Sequence, residues 1–426
     1  MDAEGKCKGL FIILDGVGDR PSAVLAGKTS LERAATPNLD QLVARGLGGM
    51  IDPLFPGVPV GTHVGTAILF GLSPSRARSL ARGPVEAAGI ELEPEAGDLL
   101  MRCNLATLEP DGEKFVIRDR RAGRINAGAE ELAASLSDID LGEGVTARLM
   151  PATQHRMVLQ LSGGQFSANV TDTDPGGGAP HGMVLNSRGS DSSDSLAENT
   201  AEAINRFTRI AQEKLEGHPV NRKRTELGLP PANGVICRSA GVMDPLESIF
   251  NRFGVKAAVV AGESTVLGLG RLFGYTVHSD PRFNSLPTTD LEAKVEAAAM
   301  LLESHDLVFM HIKGPDICSH DHDPEGKARL LERIDSALAP LLSRELVVAV
   351  TGDHSTDCDS GRHTGDPVPS ILYSPGGRRD GVAQYGESSC IVGGLGRISG
   401  TSLVASVLDA MGWSENYKPR HEPLYY

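Results

Sequence analysis

Three stretches constrain this chain more than any other feature. Each is an apolar run that stops at charged or imidazole groups. They are Gly9-Leu-Phe-Ile-Ile-Leu-Asp15, Leu307-Val-Phe-Met-His-Ile312 leading to Lys313 and Asp316, and Leu346-Val-Val-Ala-Val350 leading to Thr351-Gly-Asp353-His354. A strand that is apolar at successive positions is buried on both faces, the condition of a parallel strand covered by helices. Open α/β sheets place their sites in the polar loops at the carboxyl ends of such strands. One run of this kind is common; three in one chain predict an α/β sheet with its site along one edge.

Around these runs, Thr36-Pro37-Asn38 opens a helix over 39–46, and the apolar spacing predicts further helices over 328–338 and 403–411. Between about 101 and 224 the texture changes to shorter, alternating runs such as Phe115-Val-Ile117 and Met157-Val-Leu-Gln-Leu161, with a Ser- and Asp-rich loop over 186–194. Strand patterns return over 230–236 and 255–260. The chain has 426 residues, long for one compact domain. We read it as a discontinuous core, 1–99 and 225–426, interrupted by an inserted α+β domain over 100–224.

Charge and cysteine usage exclude some function classes. Lys and Arg number 41 against 55 Asp and Glu, a net charge of −14, which argues against a nucleic-acid partner. No apolar stretch reaches the roughly 18 residues of a membrane span, so no membrane partner is expected. The start of the chain does not read as a signal peptide. The six cysteines form no CxxC pair and read as free thiols in a reducing compartment, which makes the cytoplasm the expected location.

The polar groups at the strand ends suggest chemistry. Asp15, Asp316, His320, Asp353, His354 and His363 offer enough oxygen and nitrogen ligands for two divalent cations. Imidazole in the set favours Mn²⁺ or Zn²⁺, with Mg²⁺ also compatible. Two such cations are the usual clamp for phosphoryl transfer. The segment Pro56-Gly-Val-Pro-Val-Gly-Thr62-His63-Val-Gly-Thr66 supplies a nucleophile: Gly61 allows a tight turn and Thr62 presents a hydroxyl.

Leu14-Asp15-Gly16, Asp316-x3-His320, Thr351-x-Asp353-His354-Ser-Thr356 and His363-Thr-x-Asp-Pro-Val-Pro369 resemble the alkaline phosphatase superfamily. More closely, the chain resembles the archaeal-type, cofactor-independent phosphoglycerate mutases. Thr36-Pro-Asn-Leu39, Arg82-Gly-Pro84, Arg102-Cys-Asn104, Asp119-Arg-Arg-Ala-Gly-Arg-Ile125, Pro231-Ala-Asn233 and Leu395-Gly-Arg-Ile398 carry that resemblance along nearly the whole chain. It implies an alkaline-phosphatase-like sheet with helices on both faces and a cap (transferase) domain that closes over the site and holds phosphoglycerate. It also implies one metal at Asp15, Thr62, Asp353 and His354, and another at Asp316, His320 and His363. The nucleophile would take the phosphoryl group and return it to the other hydroxyl of glycerate. Within the insert, Arg120, Arg121, Arg124 and Arg156, with His155 beside them, are expected to bind the substrate, because guanidinium grips phosphate and carboxylate bidentately. Lys313, just after its strand, is expected to screen phosphate.

The chain departs from that family where it carries Thr62, His63 and Thr66 in place of the family's Ser, Asp and His. The leading expectation is a mutase acting on a small phosphorylated carboxylic acid. One alternative is transfer of a nucleotide-activated phosphonyl group (such as CMP-phosphonoformate) to phosphoglycerate in phosphonate-antibiotic biosynthesis, a phosphonylated substrate class. Another is a phosphatase or phosphodiesterase in which water resolves the Thr62 intermediate. Asp172-Thr-Asp174-Pro175 reads as a capping or turn signal, with contact to the substrate as the alternative. Cys318 is expected to pack, and His305 and His311 to be structural.

Overall fold

A computed structural model describes residues 6–112, 114–176 and 182–414. Contacts divide the chain into two units, Met1–Leu80 with Pro245–Tyr426, and Ala81–Asp244. The strands of the first unit's opening segment are β1 (Gly9–Leu14) and β2 (Leu47–Asp52). The second unit contains β3 (Leu99–Asp111), β4 (Lys114–Asp119), β5 (Ile139–Gly142), β6 (Val145–Pro151), β7 (Arg156–Ser162) and β8 (Gly234–Gly241). The chain then returns to the first unit with β9 (Ala257–Val260), β10 (Thr276–His278), β11 (Leu307–Ile312) and β12 (Val347–Thr351). It ends with β13 (Ser355–Asp357), β14 (Arg362–Thr364), β15 (Val368–Tyr373) and β16 (Gly396–Ser399).

The first unit is built on an eight-stranded sheet of order β10-β9-β11-β1-β12-β15-β2-β16. The five strands from β10 to β12 run parallel, and β15 is antiparallel to both its neighbours. The three apolar runs of the sequence are therefore adjacent, β11-β1-β12, with their carboxyl ends side by side. Every residue of β1, β11 and β12 is buried.

Alternation on β1 explains why its run is apolar throughout. Leu10, Ile12 and Leu14 belong to a core shared with helices Pro37–Ala44, Leu291–Ser304 and Pro324–Leu342. Phe11 points the other way, its ring 5.4 Å from that of Phe309, which lies 4.6 Å from Phe70 beyond helix Thr62–Leu69. Helices thus cover both faces, and the sheet's polar business is confined to its ends.

The second unit holds a six-stranded sheet in which β4-β3-β7-β6-β5 form one path and β8 pairs with β3. Its core packs Leu99, Met101, Cys103 and Leu105 of β3 against Ile204, Phe207 and Ala211 of the long helix Ser195–Glu216. Contacts place this unit's ends at Ala81 and Asp244, outside the 100 and 224 read from texture. The physical reason is that β8 joins β3 over Leu100–Ala106, and helix Arg82–Gly89 packs so close to β3 that a Cβ on Gly83 would fall 2.1 Å from the Leu100 carbonyl oxygen. All six cysteines are free thiols. Among the described residues, no helix is long and apolar enough to cross a membrane.

Candidate active site

Asp15 leaves β1 fully buried, with a dense set of partners. Lys313 Nζ donates to both its oxygens at 3.0 Å, His311 Nε2 stands 2.9 Å from Oδ2, and His354 Nε2 stands 3.2 Å from Oδ1. Gly16 follows at φ 64°, and a Cβ there would lie 2.7 Å from Thr356 Oγ1 and 2.9 Å from Asp316, so glycine is required on both counts.

Two groups of three residues each offer ligand atoms within 4.8 Å of one another: Asp15, Asp353 and His354, and Asp316, His320 and His363. Asp316 and His320 come from the helix Gly314–His320 after β11, where four residues make one turn. His363 sits on β14, and its ring stacks on His354 with centroids 3.8 Å apart, so the two groups are neighbours.

The donor set fits divalent cations. Each of the three imidazoles anchors its Nδ1: His320 to the Gly361 carbonyl at 2.8 Å, His363 to the Val60 carbonyl at 2.8 Å, and His354 to Thr356 Oγ1 at 3.0 Å. Each Nε2 then faces a carboxylate, with His320 and His363 both 3.4 Å from Asp316. An imidazole tethered through one nitrogen and aimed with the other is the arrangement of a metal ligand.

Electrostatics agree with that fit. Burial pushes the Asp15 carboxyl up, but the Lys313 ammonium, with His311 and His354, holds it far below the usual range. Burial likewise opposes ionisation of Asp316, and Lys313 at 2.6 Å overrides it. Asp353 is raised by burial and by the charge of Asp15. His354 is raised to about 9, because Asp353 and Asp15 outweigh its burial. Three carboxylates in a dry pocket therefore seek positive charge, and Lys313 supplies one unit of it.

Thr62 is the first residue of helix Thr62–Leu69. Its Oγ1 lies 3.1 Å from Lys313 Nζ and 3.4 Å from both Asp15 Oδ2 and His354 Nε2. The helix amino end adds a field that favours anions at the same spot. Gly65 lets the helix rest on the Asp353 backbone, since a Cβ would fall 1.9 Å from that carbonyl oxygen. Thr66 is buried with its hydroxyl 3.4 Å from Asp353 Oδ2.

The structure thus brings together Asp15, Thr62, Lys313, Asp316, His320, Asp353, His354 and His363. His311, read as structural, lies within its strand and also bonds Asp15. Its signal was a lone polar residue just before the end of an apolar strand. His305 bonds the Leu301 carbonyl and Thr276, away from these groups.

The second unit carries a separate cluster. Arg102 on β3 and Arg238 on β8 are direct cross-strand partners, a like-charge pairing that is unfavourable by itself. Arg82 donates to Glu86 Oε1 at 3.1 Å, and Arg102 Nε lies 3.5 Å from the same oxygen. Burial and then Arg82 push the Arg102 guanidinium well below its ordinary range. Arg102 Nε and Nη1, Asn104 Oδ1 and His155 Nδ1 are buried with no hydrogen-bond partner. His155 is driven down to about 3 by burial, then Arg156 and Arg121, and so is neutral near pH 7.

Of the arginines singled out in the sequence, Arg156 and the exposed Arg121 lie near enough to this cluster for their charge to act on His155. Arg120 is instead paired with Asp174 and donates to the Gly176 carbonyl at 2.9 Å. Arg124 lies exposed on the turn after β4, near Arg121. Arg82, Arg102 and Arg238 were missed as binding candidates, because only the β3–β8 pairing and the adjoining helix bring these segments together. Concentrated guanidinium with unpartnered buried donors is chemistry suited to a small anion.

A family model described as the metalloenzyme superfamily matches residues 7–410. A 2,3-bisphosphoglycerate-independent phosphoglycerate mutase of Methanopyrus kandleri is 41% identical over 408 residues, covering 94% of this chain and 95% of its own. A solved Pyrococcus horikoshii protein superposes with a TM-score of 0.80 at 34% identity, over 97% of this chain and 99% of its own. The cofactor-independent phosphoglycerate mutase of Thermoplasma acidophilum superposes with a TM-score of 0.66 at 33% identity, over 95% of this chain and 100% of its own.

Proposed function

The chain belongs to the metalloenzyme superfamily and, within it, to the 2,3-bisphosphoglycerate-independent phosphoglycerate mutases, and from that premise we propose that it interconverts 2- and 3-phosphoglycerate through Thr62. The observation that carries this reading is the meeting of Thr62 and Lys313 with two three-residue ligand groups at one sheet edge.

Asp15, Thr62, Asp353 and His354 would hold one divalent cation, and Asp316, His320 and His363 the other. Mixed carboxylate and imidazole ligands favour Mn²⁺ or Zn²⁺. When bound, such cations supply Lewis-acid charge for the phosphoryl oxygens and make a hydroxyl a nucleophile near neutral pH.

The chain's own groups do the rest. Thr62 Oγ1 forms a bond to phosphorus as the substrate's ester P–O bond breaks, and the departing glycerate oxygen takes up the proton that Thr62 lost. The other glycerate hydroxyl then attacks, freeing Thr62 and returning the proton. Lys313, 3.1 Å from Oγ1, neutralises the transferring group throughout. In the second unit, Arg82, Arg102, Arg121, Arg156 and Arg238 bind anionic groups of the substrate, with neutral His155 as a hydrogen-bonding neighbour.

Incubation of the Mn²⁺-loaded protein with 3-phosphoglycerate tests the reading. Formation of 2-phosphoglycerate supports it. Its absence sinks the mutase assignment, and release of inorganic phosphate in its place assigns hydrolysis.

A further inference from the structure

One hydroxyl touches both ligand groups. Thr356 Oγ1 donates to Asp316 Oδ1 at 2.8 Å and stands 3.0 Å from His354 Nδ1. Its Cα is also the cross-strand partner of His363 in the β13–β14 ribbon. Residues of both groups therefore meet at Thr356, which is itself fully buried.

Proton accounting fixes what the hydroxyl does. It has one hydrogen to give, and an ionised Asp316 can only accept, so that hydrogen goes to Asp316. The oxygen's lone pair then faces His354 Nδ1, which must be the donor. With the proton held on Nδ1, His354 Nε2 is directed at Asp15 Oδ1, 3.2 Å away, and Asp353 Oδ2, 3.6 Å away. One hydroxyl thus holds a carboxylate oxygen in one group and a ring nitrogen in the other.

The hydroxyl has little freedom. The Thr356 amide donates to the Gly18 carbonyl at 2.9 Å, and its carbonyl accepts from Lys327 Nζ at 3.2 Å. Lys327 is held in turn by Asp19 at 3.1 Å, a fully buried lysine braced behind the site. On the open side Gly16 carries no Cβ, which is what leaves room for the hydroxyl. A β-branched side chain on so fixed a backbone keeps one rotamer.

We propose that Thr356 is a positioning residue shared by both metal groups, coupling them through a single hydroxyl. The proposal rests on the two-metal reading above. It makes the groups thermodynamically linked: a cation that fixes Asp316 also fixes the bond that orients His354, so filling either group favours filling the other, reciprocally.

The test is Mn²⁺ titration of the metal-free protein by calorimetry, with bound metal counted by elemental analysis. Wild type is expected to take two equivalents with positive coupling. Thr356→Val, which keeps the shape and removes the hydroxyl, should weaken both equivalents by about 10–100-fold and abolish the coupling. Thr356→Ser should restore both affinities to within a few-fold. Thr356→Ala, with no added bulk, repeats the loss if valine prevents folding. Two wild-type equivalents that bind unchanged in the valine or alanine variant, or a loss confined to one group, overturn the proposal. A wild-type protein that takes up no Mn²⁺ overturns the two-metal reading instead, so the two failures are distinct.

Discussion

Replacing Arg102 by methionine should make the second unit more stable and less able to bind its anion. The Arg102 side chain is 6% exposed, and its Nε and Nη1 have no hydrogen-bond partner. Each unsatisfied buried donor costs about 1–3 kcal/mol. The like-charge position opposite Arg238 adds a few tenths of a kcal/mol to about 1 kcal/mol. Against this stands the loss of a 3.5 Å contact with Glu86, which keeps Arg82 at 3.1 Å. Methionine retains most of the buried stem, so packing changes little. The balance is a gain of about 1–3 kcal/mol for Arg102→Met. Urea unfolding followed by circular dichroism, with hydrogen exchange over β3 and β8 to localise the effect, measures it. Adding 3-phosphoglycerate at 100 times its dissociation constant should stabilise wild type by about 2.7 kcal/mol and leave the variant nearly unmoved at the same concentration. A variant that is less stable than wild type, or equally protected by ligand, would refute the reasoning.

Two further predictions concern the first unit. Lys294 is 1% exposed, donates to the His311 carbonyl at 2.8 Å, and is pushed down to about 8 by burial. The unfolded chain holds that proton until about pH 10.4, so it binds more protons than the fold between about 8 and 10.4, and stability rises with pH across that window by about 3 kcal/mol. Urea midpoints at pH 7 and 10.5 should show Lys294→Met lacking this rise; equal pH slopes would contradict it. Asp335, fully buried on helix Pro324–Leu342, accepts from the backbone of Asn38 at 3.2 Å and Leu39 at 2.8 Å, and from Asn38 Nδ2 at 2.8 Å. Asp335→Ala leaves the first turn of helix Pro37–Ala44 uncapped and should lower stability by about 2–4 kcal/mol; a loss under about 1 kcal/mol by urea unfolding would mean that turn is held otherwise.

The sheet edge was legible because the three strands are buried on both faces and therefore unbroken in sequence, so their polar exits stand out. Thr62 was legible as a hydroxyl after glycine. His311 was not, since a single imidazole within an apolar strand has the same appearance whether it bonds a carboxylate or packs. Thr356 belonged to a resembling motif, but its positioning role was not legible, because a hydroxyl's role depends on which two groups face it. In the second unit, arginines of a glycine-rich turn were legible as anion binders, whereas Arg102, part of a resembling motif, and Arg238 were not. Register between distant strands, not local pattern, makes them neighbours. Some motifs behind the resemblance are structural in this fold. Asn233 bonds both the amide and carbonyl of Leu108, at 2.8 and 3.0 Å. Arg397 grips Asp52 twice, at 2.8 and 2.9 Å. The net charge of −14 says nothing of the arginine cluster or of a site that gathers cations around three aspartates.

The central claim is covalent phosphoryl transfer through Thr62 under two-metal control. Rapid acid quench of the Mn²⁺-loaded protein with phosphorus-labelled 3-phosphoglycerate, followed by peptide mass spectrometry, tests it most directly. The account predicts phosphothreonine at residue 62, absent after chelation of the metal and absent in Thr62→Ala. Conversion to 2-phosphoglycerate with no label on Thr62, or with undiminished turnover in Thr62→Ala, would contradict it.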